Sequence, residues 1–419
     1  NNDVVMQSVI MELILLDNNQ KKVLPVNANE YNTLFDEQET YNDDGSFEAT
    51  FRNGTHFDEI YHARSAYEFI QGIYCYENTH PPLGKTFISL GIRAFGMNPF
   101  GWRFVGTLFG VMMLPFLYLF TKKMTKETWV AGIATTLFAA DFMHFTQTRI
   151  ATIDVYVTFF VIAMYYFMYC YITKDLTKVT FGKSLIPLGL SGLCMGLGIA
   201  SKWTGMYAGA GLGLIFFVAL IMKVLKNNRL PDKQRDKTLN KKIFLTLLCC
   251  IVFFVVIPAI IYYLSYIPFK DGQSKTVWEA LLKNQENMFS YHSKLDAVHD
   301  FGYPWNTWPT MIRPTYYYAH TLANGLKEGI STFGNPAVWW TGIVATVYML
   351  YLSLFKWDKN AMFLLAGYMA QYLPWFFVTR VTFIYHYFPS VPFIVLMIAY
   401  SMYHIVKRFP STKRWMISF

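Results

Sequence analysis

Two adjacent carboxylates, Asp58 and Glu59, stand in the segment FDEIYH that covers residues 57–62. Neighbouring side chains on a helix point about 100° apart, so one carboxylate can face a cleft while the other turns elsewhere. An inverting transfer to a hydroxyl needs one carboxylate to take the proton while the leaving group departs. The alternative is an acidic helix start in water, which the helix dipole favours without any chemistry.

Two further segments place charged side chains beside apolar stretches. His80 and Lys85 belong to HPPLGK, where two prolines fix an extended entry to a helix. They either face a phosphate or form a rigid turn from which Lys85 extends towards lipid headgroups. Arg149 and Asp154 lie in RIATID, five residues apart. Charges at a membrane boundary are costly unless paired or functional, so this pair is either an ion pair or part of a site.

Lys202 in SKWTG interrupts an apolar stretch that runs from Leu185 to Leu225. A cation at this depth favours an anion, and a lipid phosphate is the natural one; the alternative is a lysine that reaches the interface from between two helices. Arg380 and His386 lie in RVTFIYHY and form a similar pair. For His386 alone, a satisfied core histidine is the simpler interpretation.

Metal binding is not predicted. His292 and His299 are seven residues apart in an aromatic-rich segment, but no Cys or Asp completes a site. The cysteines show no metal-ligand spacing and are typical of small core residues: Cys75, Cys170, Cys194, Cys249 and Cys250. We therefore expect neither a metal ion nor a cofactor.

The composition predicts a polytopic membrane protein. Of the 419 residues 54% are hydrophobic and only 15% are charged, against about 25% charged in soluble domains. The net charge of +9 comes mainly from loops between apolar runs, so it reflects membrane orientation rather than binding to nucleic acid.

Hydropathy predicts an all-α fold with about nine crossings by the bilayer-length rule. The predicted spans are 103–121, 129–147, 151–172, 185–203, 205–224, 243–266, 336–355, 361–379 and 383–406. The apolar piece 87–97 is too short to cross and is predicted to be an interfacial helix. Ahead of it, Ile60, Ala63, Tyr67 and Ile70 are predicted to share one face of a helix that begins near Asp58.

The basic loops all fall on one side under this count, and that side is predicted to be cytoplasmic. They are Lys122–Lys126, Lys174–Lys183, Lys223–Lys242, Lys356–Lys359 and Lys407–Arg414. Residues 1–82, the segment 268–335 and the regions of Arg149, Lys202 and Arg380 then share the extracytoplasmic face. The polar motifs are therefore expected to meet there.

Taken in order, seven motifs resemble the protein O-mannosyltransferase family, glycosyltransferase family 39, whose members have the GT-C membrane fold. They are FDEIYHA at 57–63, HPPLGK at 80–85, RIATID at 149–154, SKWTG at 201–205, WNTWP at 305–309, GNPAVWW at 334–340 and RVTFIYHYFP at 380–389. FDEQ at 35–38, ahead of the first motif, is similar to a bacterial, Firmicute-type branch. In that branch a membrane helix and a β-sandwich insert precede this point, which fits the strand-like run from Val4 to Leu16.

The resemblance implies transfer of mannose, with inversion, from a polyprenyl- or dolichyl-phosphate carrier to Ser or Thr of an exported protein. It implies that Asp58 is the general base and that Glu59 supports it. The implied donor and phosphate ligands are Arg149, Lys202, Arg380, His386, His80 and Lys85, with Asp154, His62 and Tyr385 in support. The sugar donor is then a substrate, and no metal is needed. The β-trefoil insert of eukaryotic members has no room in 268–335, so the acceptor stays open.

The resemblance also implies a division of the chain into five parts. Residues 1–55 would be an extracytoplasmic segment with the end of the β-sandwich insert, and 56–100 the extracytoplasmic catalytic loop with juxtamembrane helices. Transmembrane helices would fill 101–267 and 336–419, on either side of the extracytoplasmic aromatic-rich loop 268–335.

Two alternatives remain open. A GT-C relative could move another sugar to a lipid or cell-wall glycan by the same mechanism. A transporter of lipid-linked glycans would instead be expected to show inverted repeats and charges near the bilayer midplane. The sequence shows no internal repeat, and its charged motifs lie at the ends of spans.

Overall fold

The computed structural model describes residues 54–175, 179–295, 299–321, 325–413 and 416. The predicted strand from Val4 to Leu16, the FDEQ motif and nearly all of the predicted segment 1–55 lie outside these residues. The described part is mainly α-helical, as predicted.

Fifteen helices follow one another along the described part of the chain. They are α1 (Glu59–Gln71), α2 (Leu83–Phe95), α3 (Pro99–Thr125), α4 (Thr128–Ala139), α5 (Phe142–Gln147), α6 (Asp154–Ile172), α7 (Phe181–Ser201), α8 (Gly205–Asn228), α9 (Leu239–Ile251), α10 (Ile257–Ser265), α11 (Ile267–Gln273), α12 (Val277–Lys294), α13 (Pro336–Lys356), α14 (Lys359–Tyr372) and α15 (Val391–Arg408). A π-helical turn, Val252–Val256, joins α9 to α10. The strands β1 (Thr315–Thr321) and β2 (Lys327–Thr332) lie between α12 and α13.

Local sequence explains several helix starts. The side chain of Asn98 accepts a hydrogen bond from the backbone N–H of Gly101 and is followed by Pro99 at the first position of α3. Asn335 and Pro336 repeat this arrangement at the start of α13. An Asn cap followed by proline satisfies an orphan donor and presets the first helical turn.

Seven helical segments of the described chain are long and apolar enough to cross a membrane, and they coincide with seven of the predicted spans. They are Pro99–Thr125, Asp154–Ile172, Phe181–Ser201, Gly205–Asn228, Leu239–Lys270, Pro336–Lys356 and Ile384–Arg408. The chain is therefore a multi-pass membrane protein. The predicted short helix at 87–97 is α2, which has 13 residues.

The two remaining predicted spans are interrupted. The predicted span 129–147 divides into α4 and α5 at Asp141, whose carboxylate accepts hydrogen bonds from the N–H groups of Met143 and His144 and so starts a new helix. The predicted span 361–379 ends as an α-helix at Tyr372 and continues as a short 3₁₀ helix, because Pro374 cannot supply a backbone N–H.

The segment 268–335 is more ordered than a loop. It holds α12 and an antiparallel hairpin in which Thr315 pairs with Thr332 and Thr321 with Lys327. The register shifts between Tyr316 and Tyr318, which marks a bulge. The all-α prediction missed this hairpin, although β1 is rich in Thr and Tyr, residues that favour strands.

Helix α6 is the core of the bundle, and 78% of the residues in its most apolar stretch are buried inside the protein. It begins at Asp154 and ends near the basic loops, where the Tyr169 hydroxyl donates to Oδ1 of Asn360 over 2.9 Å. At this end the ring of Phe120, just before Lys122, lies 5.6 Å from the Tyr169 ring, and the ammonium of Lys223 lies 5.0 Å from the Tyr171 ring. The ammonium of Lys413 lies 5.8 Å from the ring of Trp129, which follows the loop Lys122–Lys126. The basic loops therefore gather at one end of the bundle, and Asp154 lies at the other.

Close packing of α7 against the π-helical turn gives a testable prediction. A Cβ atom at Gly192 would lie 2.2 Å from the carbonyl oxygen of Phe253, whereas one at Gly213 in α8 would meet nothing within 4 Å. Gly192→Ala is expected to destabilise the protein by about 1–3 kcal/mol, because backbone must shift to admit the methyl group. Thermal unfolding in detergent micelles measures the effect. Gly213→Ala is the control and should keep or slightly raise the Tm; equal Tm values would contradict this packing.

Candidate active site

Asp58 is held at the N-terminus of α1 without serving as a side-chain cap. Its Oδ2 atom instead accepts a hydrogen bond from the Tyr385 hydroxyl over 3.3 Å. The preceding residue, Phe57, has a φ of +53°, a strained backbone conformation for a residue with a side chain. The Phe57 ring stacks on Tyr317 of β1 at 4.7 Å. The hairpin and the chain near Tyr385 thus fix the direction of the Asp58 carboxylate.

Glu59 points the other way, into the protein, where it is fully buried. The Arg103 guanidinium binds both of its carboxylate oxygens, with Nε–Oε1 and Nη2–Oε2 distances of 2.8 Å. The backbone N–H groups of Ala151 and His56 donate to the same carboxylate over 2.9 and 3.0 Å. These contacts occupy both oxygens of the carboxylate, so Glu59 anchors the chain next to Asp58 and is not free to take part in a reaction. Sequence reasoning missed Arg103.

Lys202 lies between α7 and α8, and its ammonium lies 2.8 Å from both carboxylate oxygens of Asp154. The alternative ion pair between Arg149 and Asp154 does not form, because residues 149–153 are not helical. Arg149 is exposed, with its guanidinium 3.5 Å from the centre of the Phe145 ring. The structure therefore does not bring Arg149 to the other predicted phosphate ligands.

Lys85 is also not available to a phosphate. It is completely buried, and its ammonium binds the Glu77 carboxylate and donates to the Glu77 carbonyl over 2.6 Å. Glu77 further accepts hydrogen bonds from the Thr79 N–H and from Nδ1 of His80, over 2.8 and 3.1 Å. Although burial alone would raise it, the Lys85 ammonium holds the pKa of Glu77 well below its usual range. Sequence reasoning missed Glu77.

Four of the predicted ligands line one cavity of about 300 Å³: His80, Lys202, Arg380 and His386. The rest of its wall includes Trp203 and Thr204 just before α8, Tyr207 in the first turn of α8, His292 from α12, and Trp375. This volume lies at the lower end of the range for small-molecule sites. Of the two indole side chains, Trp203 is partly exposed, whereas Trp375 is buried against His386.

Tyr385 and His62 do not line this cavity but contact residues that do, and His386 on the wall has its own partners. The ammonium of Lys202 is 5.6 Å from the Tyr385 ring, so Tyr385 bridges Lys202 and Asp58. Nδ1 of His62 is 3.9 Å from Glu77, and the His62 ring meets His80 edge to face at 5.9 Å. The His386 ring packs against Trp375 at 4.5 Å, and its Nδ1 faces the backbone of Phe383.

Burial sets the charge of the titratable groups around Asp58. It raises the pKa of Asp58 to about 6, with the Lys202 ammonium opposing the shift. Burial lowers the pKa of His80, and it lowers the pKa of His292 to about 4. At neutral pH the Asp58 carboxylate is therefore ionised yet close to its pKa, which suits a general base, and both histidines are neutral.

Within the described residues, no group of three or more His, Cys, Asp or Glu side chains is arranged to hold a metal ion. His292 and His299 accordingly do not form a common site there. The expectation that no cofactor takes part stays a prediction.

Two family models match successive parts of the chain. Residues 93–270 match "Dolichyl-phosphate-mannose-protein mannosyltransferase", and residues 277–418 match "C-terminal four TMM region of protein-O-mannosyltransferase". The chain belongs to the protein O-mannosyltransferase family. The Firmicute-type branch stays a prediction.

Relatives and solved structures agree with this family. The chain is 26% identical over 399 residues to the polyprenol-phosphate-mannose–protein mannosyltransferase of Mycobacterium tuberculosis, which covers 82% of this chain and 74% of the relative. It is 14% identical to a chain of the S. cerevisiae protein O-mannosyltransferase Pmt1-Pmt2 complex bound to the sugar donor, with a TM-score of 0.71 and coverages of 87% and 83%.

A more distant structural neighbour is ArnT from Cupriavidus metallidurans bound to undecaprenyl phosphate. It is 12% identical, with a TM-score of 0.54, and the match covers 84% of this chain and 56% of ArnT. At such identities the likeness concerns the fold alone, which is the predicted GT-C fold.

The separate surroundings of the two adjacent carboxylates predict different effects of neutralising them. In this mannosyltransferase-family chain, Glu59→Gln should lower the stability by about 3 kcal/mol, because it leaves Arg103 without its buried partner. This loss of stability lies at the lower end of the range for a broken buried ion pair, because the Arg103 side chain is 18% exposed and water can partly solvate it. Asp58→Asn should not lower the Tm, since it removes a charge from a desolvated position. Thermal unfolding of both variants in micelles measures this; equal Tm losses would show that Glu59 is not the anchor.

Proposed function

We propose that this protein transfers mannose from a polyprenyl-phosphate carrier to Ser or Thr of an exported protein, with inversion at the sugar. The observation that carries the proposal is the position of Tyr385 between Asp58 and Lys202. Its hydroxyl lies 3.3 Å from the Asp58 carboxylate, and its ring lies 5.6 Å from the ammonium of Lys202, which lines the cavity together with Arg380. One anionic base and two cations at a cavity suit a reaction in which a hydroxyl loses a proton and a phosphate leaves. The names of the curated relatives support mannose and a protein acceptor.

The proposed step is a single displacement. A carboxylate oxygen of Asp58 takes the proton of the acceptor hydroxyl, and the hydroxyl oxygen forms a bond to the anomeric carbon. The bond from that carbon to the phosphate oxygen breaks, and its electron pair leaves with the carrier phosphate. Attack on the face opposite the leaving group inverts the configuration. Lys202 and Arg380 stabilise the charge that develops on the departing phosphate.

The neighbours of Asp58 and Lys202 have defined tasks in this step. The Tyr385 hydroxyl donates to Asp58 and so holds one carboxylate oxygen, which leaves the other for the acceptor. Asp154 binds the Lys202 ammonium and keeps it at the cavity wall. Trp203, which is only partly buried, offers a ring against which a sugar can stack.

Orientation follows from the distribution of charge. The basic loops lie at the end of the bundle where α6 ends, and Asp154 and Lys202 lie at the opposite end. Lys and Arg accumulate in cytoplasmic loops of membrane proteins. On this rule the cavity opens on the extracytoplasmic side, where an exported protein and a lipid carrier are both accessible.

The transporter alternative is less consistent with the arrangement of the charges. A transporter for a lipid-linked glycan would place them near the bilayer midplane. Here Asp58 precedes α1, Asp154 begins α6 and Lys202 follows the end of α7, so the charges lie where helices begin and end. A transferase that uses another sugar, or a glycan as acceptor, would have the same mechanism. A transfer assay with defined donor and acceptor distinguishes these enzymes from a protein mannosyltransferase.

The first test is transfer of radiolabelled mannose from polyprenyl-phosphate mannose to a Ser/Thr-rich peptide by the purified protein. Asp58→Asn should lower kcat by at least about a hundredfold while carrier binding persists, because the variant lacks only the base. The matched control is Asp232→Asn, at an exposed carboxylate in the α8–α9 connection, which should transfer normally. Unimpaired transfer by Asp58→Asn would remove Asp58 from the base role. No transfer by the wild type, in protein that binds the carrier, would overturn the mannose proposal and direct the assay to other sugars and acceptors.

The pH dependence of transfer is a separate prediction. Burial raises the pKa of Asp58 to about 6, and only the ionised carboxylate accepts a proton. kcat/KM should therefore fall about tenfold per pH unit below about pH 6 and level off above it. Initial rates in micelles, with the Tm recorded at each pH to exclude unfolding, measure the profile. A flat profile down to pH 5 would contradict a base with this pKa.

A further inference from the structure

The indole of Trp203 begins a chain of hydrogen bonds that leads away from the cavity. Trp203 lies in the cavity wall just before α8, and it is partly exposed. Its Nε1–H group donates to the hydroxyl oxygen of Tyr262 in α10 over 3.0 Å. An indole N–H group can only donate, so the Tyr262 oxygen accepts here, and its one proton remains for another partner.

The partner for that proton is Gln285 of α12. The Tyr262 hydroxyl donates to Oε1 of Gln285 over 2.9 Å, and Nε2 of Gln285 donates to the Tyr266 hydroxyl over 2.8 Å. The neighbouring Asn284 also donates to Tyr266, from Nδ2 over 3.1 Å. The chain therefore runs in one direction, from the indole to Tyr266, and it joins the α7–α8 connection to α10 and α12.

Tyr266 anchors the far end of this chain in a second, smaller core. Its side chain is fully buried, and its ring lies 5.5 Å from that of Phe269, which lies 5.2 Å from the ring of Phe69 in α1. Cys75 and Ala280 belong to the same cluster. A hydrogen bond broken at Tyr266 would leave a buried polar atom without a partner, so this end of the chain is held in place.

The chain of hydrogen bonds matters for the cavity because it determines the angle of the Trp203 ring. The indole has a single hydrogen-bonding group, so the hydroxyl that accepts from it selects one orientation of the ring. Helix α12 contacts the same ring a second time, because His292, about two turns beyond Gln285, lies 6.1 Å from it. A sugar stacks on the face of an aromatic ring, so a ring that turns away from this orientation offers the donor a different surface.

We propose that Tyr262 and Gln285 are positioning residues, which hold the Trp203 ring at the angle at which the sugar of the lipid-phosphate donor stacks on it. The inference rests on the proposed function. Both residues lie outside the cavity wall, so they act on the donor through Trp203. A membrane-spanning helix and α12 thereby contribute to donor binding without contacting the donor.

The first test removes one hydroxyl group. Tyr262→Phe leaves the indole N–H without its acceptor, and kcat and KM for polyprenyl-phosphate mannose are measured with the peptide acceptor at saturation. The donor KM should rise about 3- to 10-fold while kcat changes less than about twofold, because the stacking contact is weakened equally in the ground state and the transition state. Binding of polyprenyl phosphate without a sugar should not change, and equal weakening of this carrier would overturn the assignment to the sugar.

Tyr263→Phe is the matched control. It removes the hydroxyl of the neighbouring tyrosine, which is 38% exposed and lies outside the cavity wall. Its donor KM should equal that of the wild type.

A double-mutant cycle separates action through Trp203 from a general structural effect. Trp203→Phe keeps an aromatic ring but lacks the N–H group. Adding Tyr262→Phe to this variant should raise the donor KM by less than about twofold further, whereas independent effects would multiply. Effects that multiply would overturn the positioning role.

Two substitutions of Gln285 test the next hydrogen bond of the chain. Gln285→Glu keeps an oxygen that accepts from Tyr262 and should keep the donor KM closer to that of the wild type than Gln285→Leu does. This pair carries the test if Tyr262→Phe does not fold.

The outcomes distinguish the positioning role from the proposed function. Failure of the wild type to use the mannosyl carrier, in protein that binds polyprenyl phosphate, would overturn the proposed function. Transfer by the wild type, with an unchanged donor KM in Tyr262→Phe and Gln285→Leu, would overturn the positioning role alone, and a lower Tm in these variants would then show that the chain of hydrogen bonds serves stability only. A raised donor KM in both variants, without a multiplied effect in the double variant, supports both.

Discussion

The site depends on one buried carboxylate, that of Glu59, which joins three parts of the chain. It binds Arg103 on α3 and accepts hydrogen bonds from the backbone of Ala151, just before α6, and of His56, just before α1. A buried charge is tolerated only when its lone pairs are satisfied in this way. Because these contacts fix the start of α1, they also fix the strained turn at Phe57 and the direction in which Asp58 leaves the chain. The adjacent carboxylates thus have different surroundings: Glu59 holds the helix start, and Asp58, the proposed base, is held by one hydrogen bond from Tyr385.

A second constraint keeps Asp58 available. Lys202 lies close enough to Asp58 to oppose the rise of its pKa, and in a medium of low dielectric constant such a pair would neutralise each other. Asp154 binds the Lys202 ammonium through both oxygens, so Lys202 already has an anionic partner. Glu77 plays the same part for Lys85 and thereby sets the tautomer of His80. In both cases a buried carboxylate fixes the position of a lysine ammonium. Glu77 in addition determines which nitrogen of His80 carries the proton.

Hydropathy predicted the spans because each crossing must enclose its backbone hydrogen bonds in a long apolar helix, and this requirement leaves a pattern that depends on residue type alone. It also singled out Lys202 and Arg380, because charges at the ends of apolar runs stand out, whereas Asp58 was singled out by the carboxylate next to it. It could not predict their partners. Arg149 and Asp154 are close in sequence, yet the chain between them is not helical, and Asp154 binds Lys202 across 48 positions instead. Such contacts depend on how helices pack, which no local spacing records.

Helix α1 shows where pattern reasoning fails and why the failure is informative. The predicted face groups Ile60 with Ala63, but Ile60 is 42% exposed while Ala63 is fully buried. The polar side chains of Glu59, His62 and Ser65 are buried as well. A helix that buries polar side chains and exposes an isoleucine violates the rule that governs the other helices. Such a helix is stable only where the buried polar side chains have partners, as Glu59 has in Arg103. Departures from the hydrophobic pattern are expected at functional sites, where side chains are retained for function rather than for packing. In this chain the departure lies in α1, the helix that Asp58 precedes. A sequence-based search for a reacting group in a membrane protein should therefore examine the helices whose polar residues disagree with the hydrophobic period, in addition to the charges that end apolar runs.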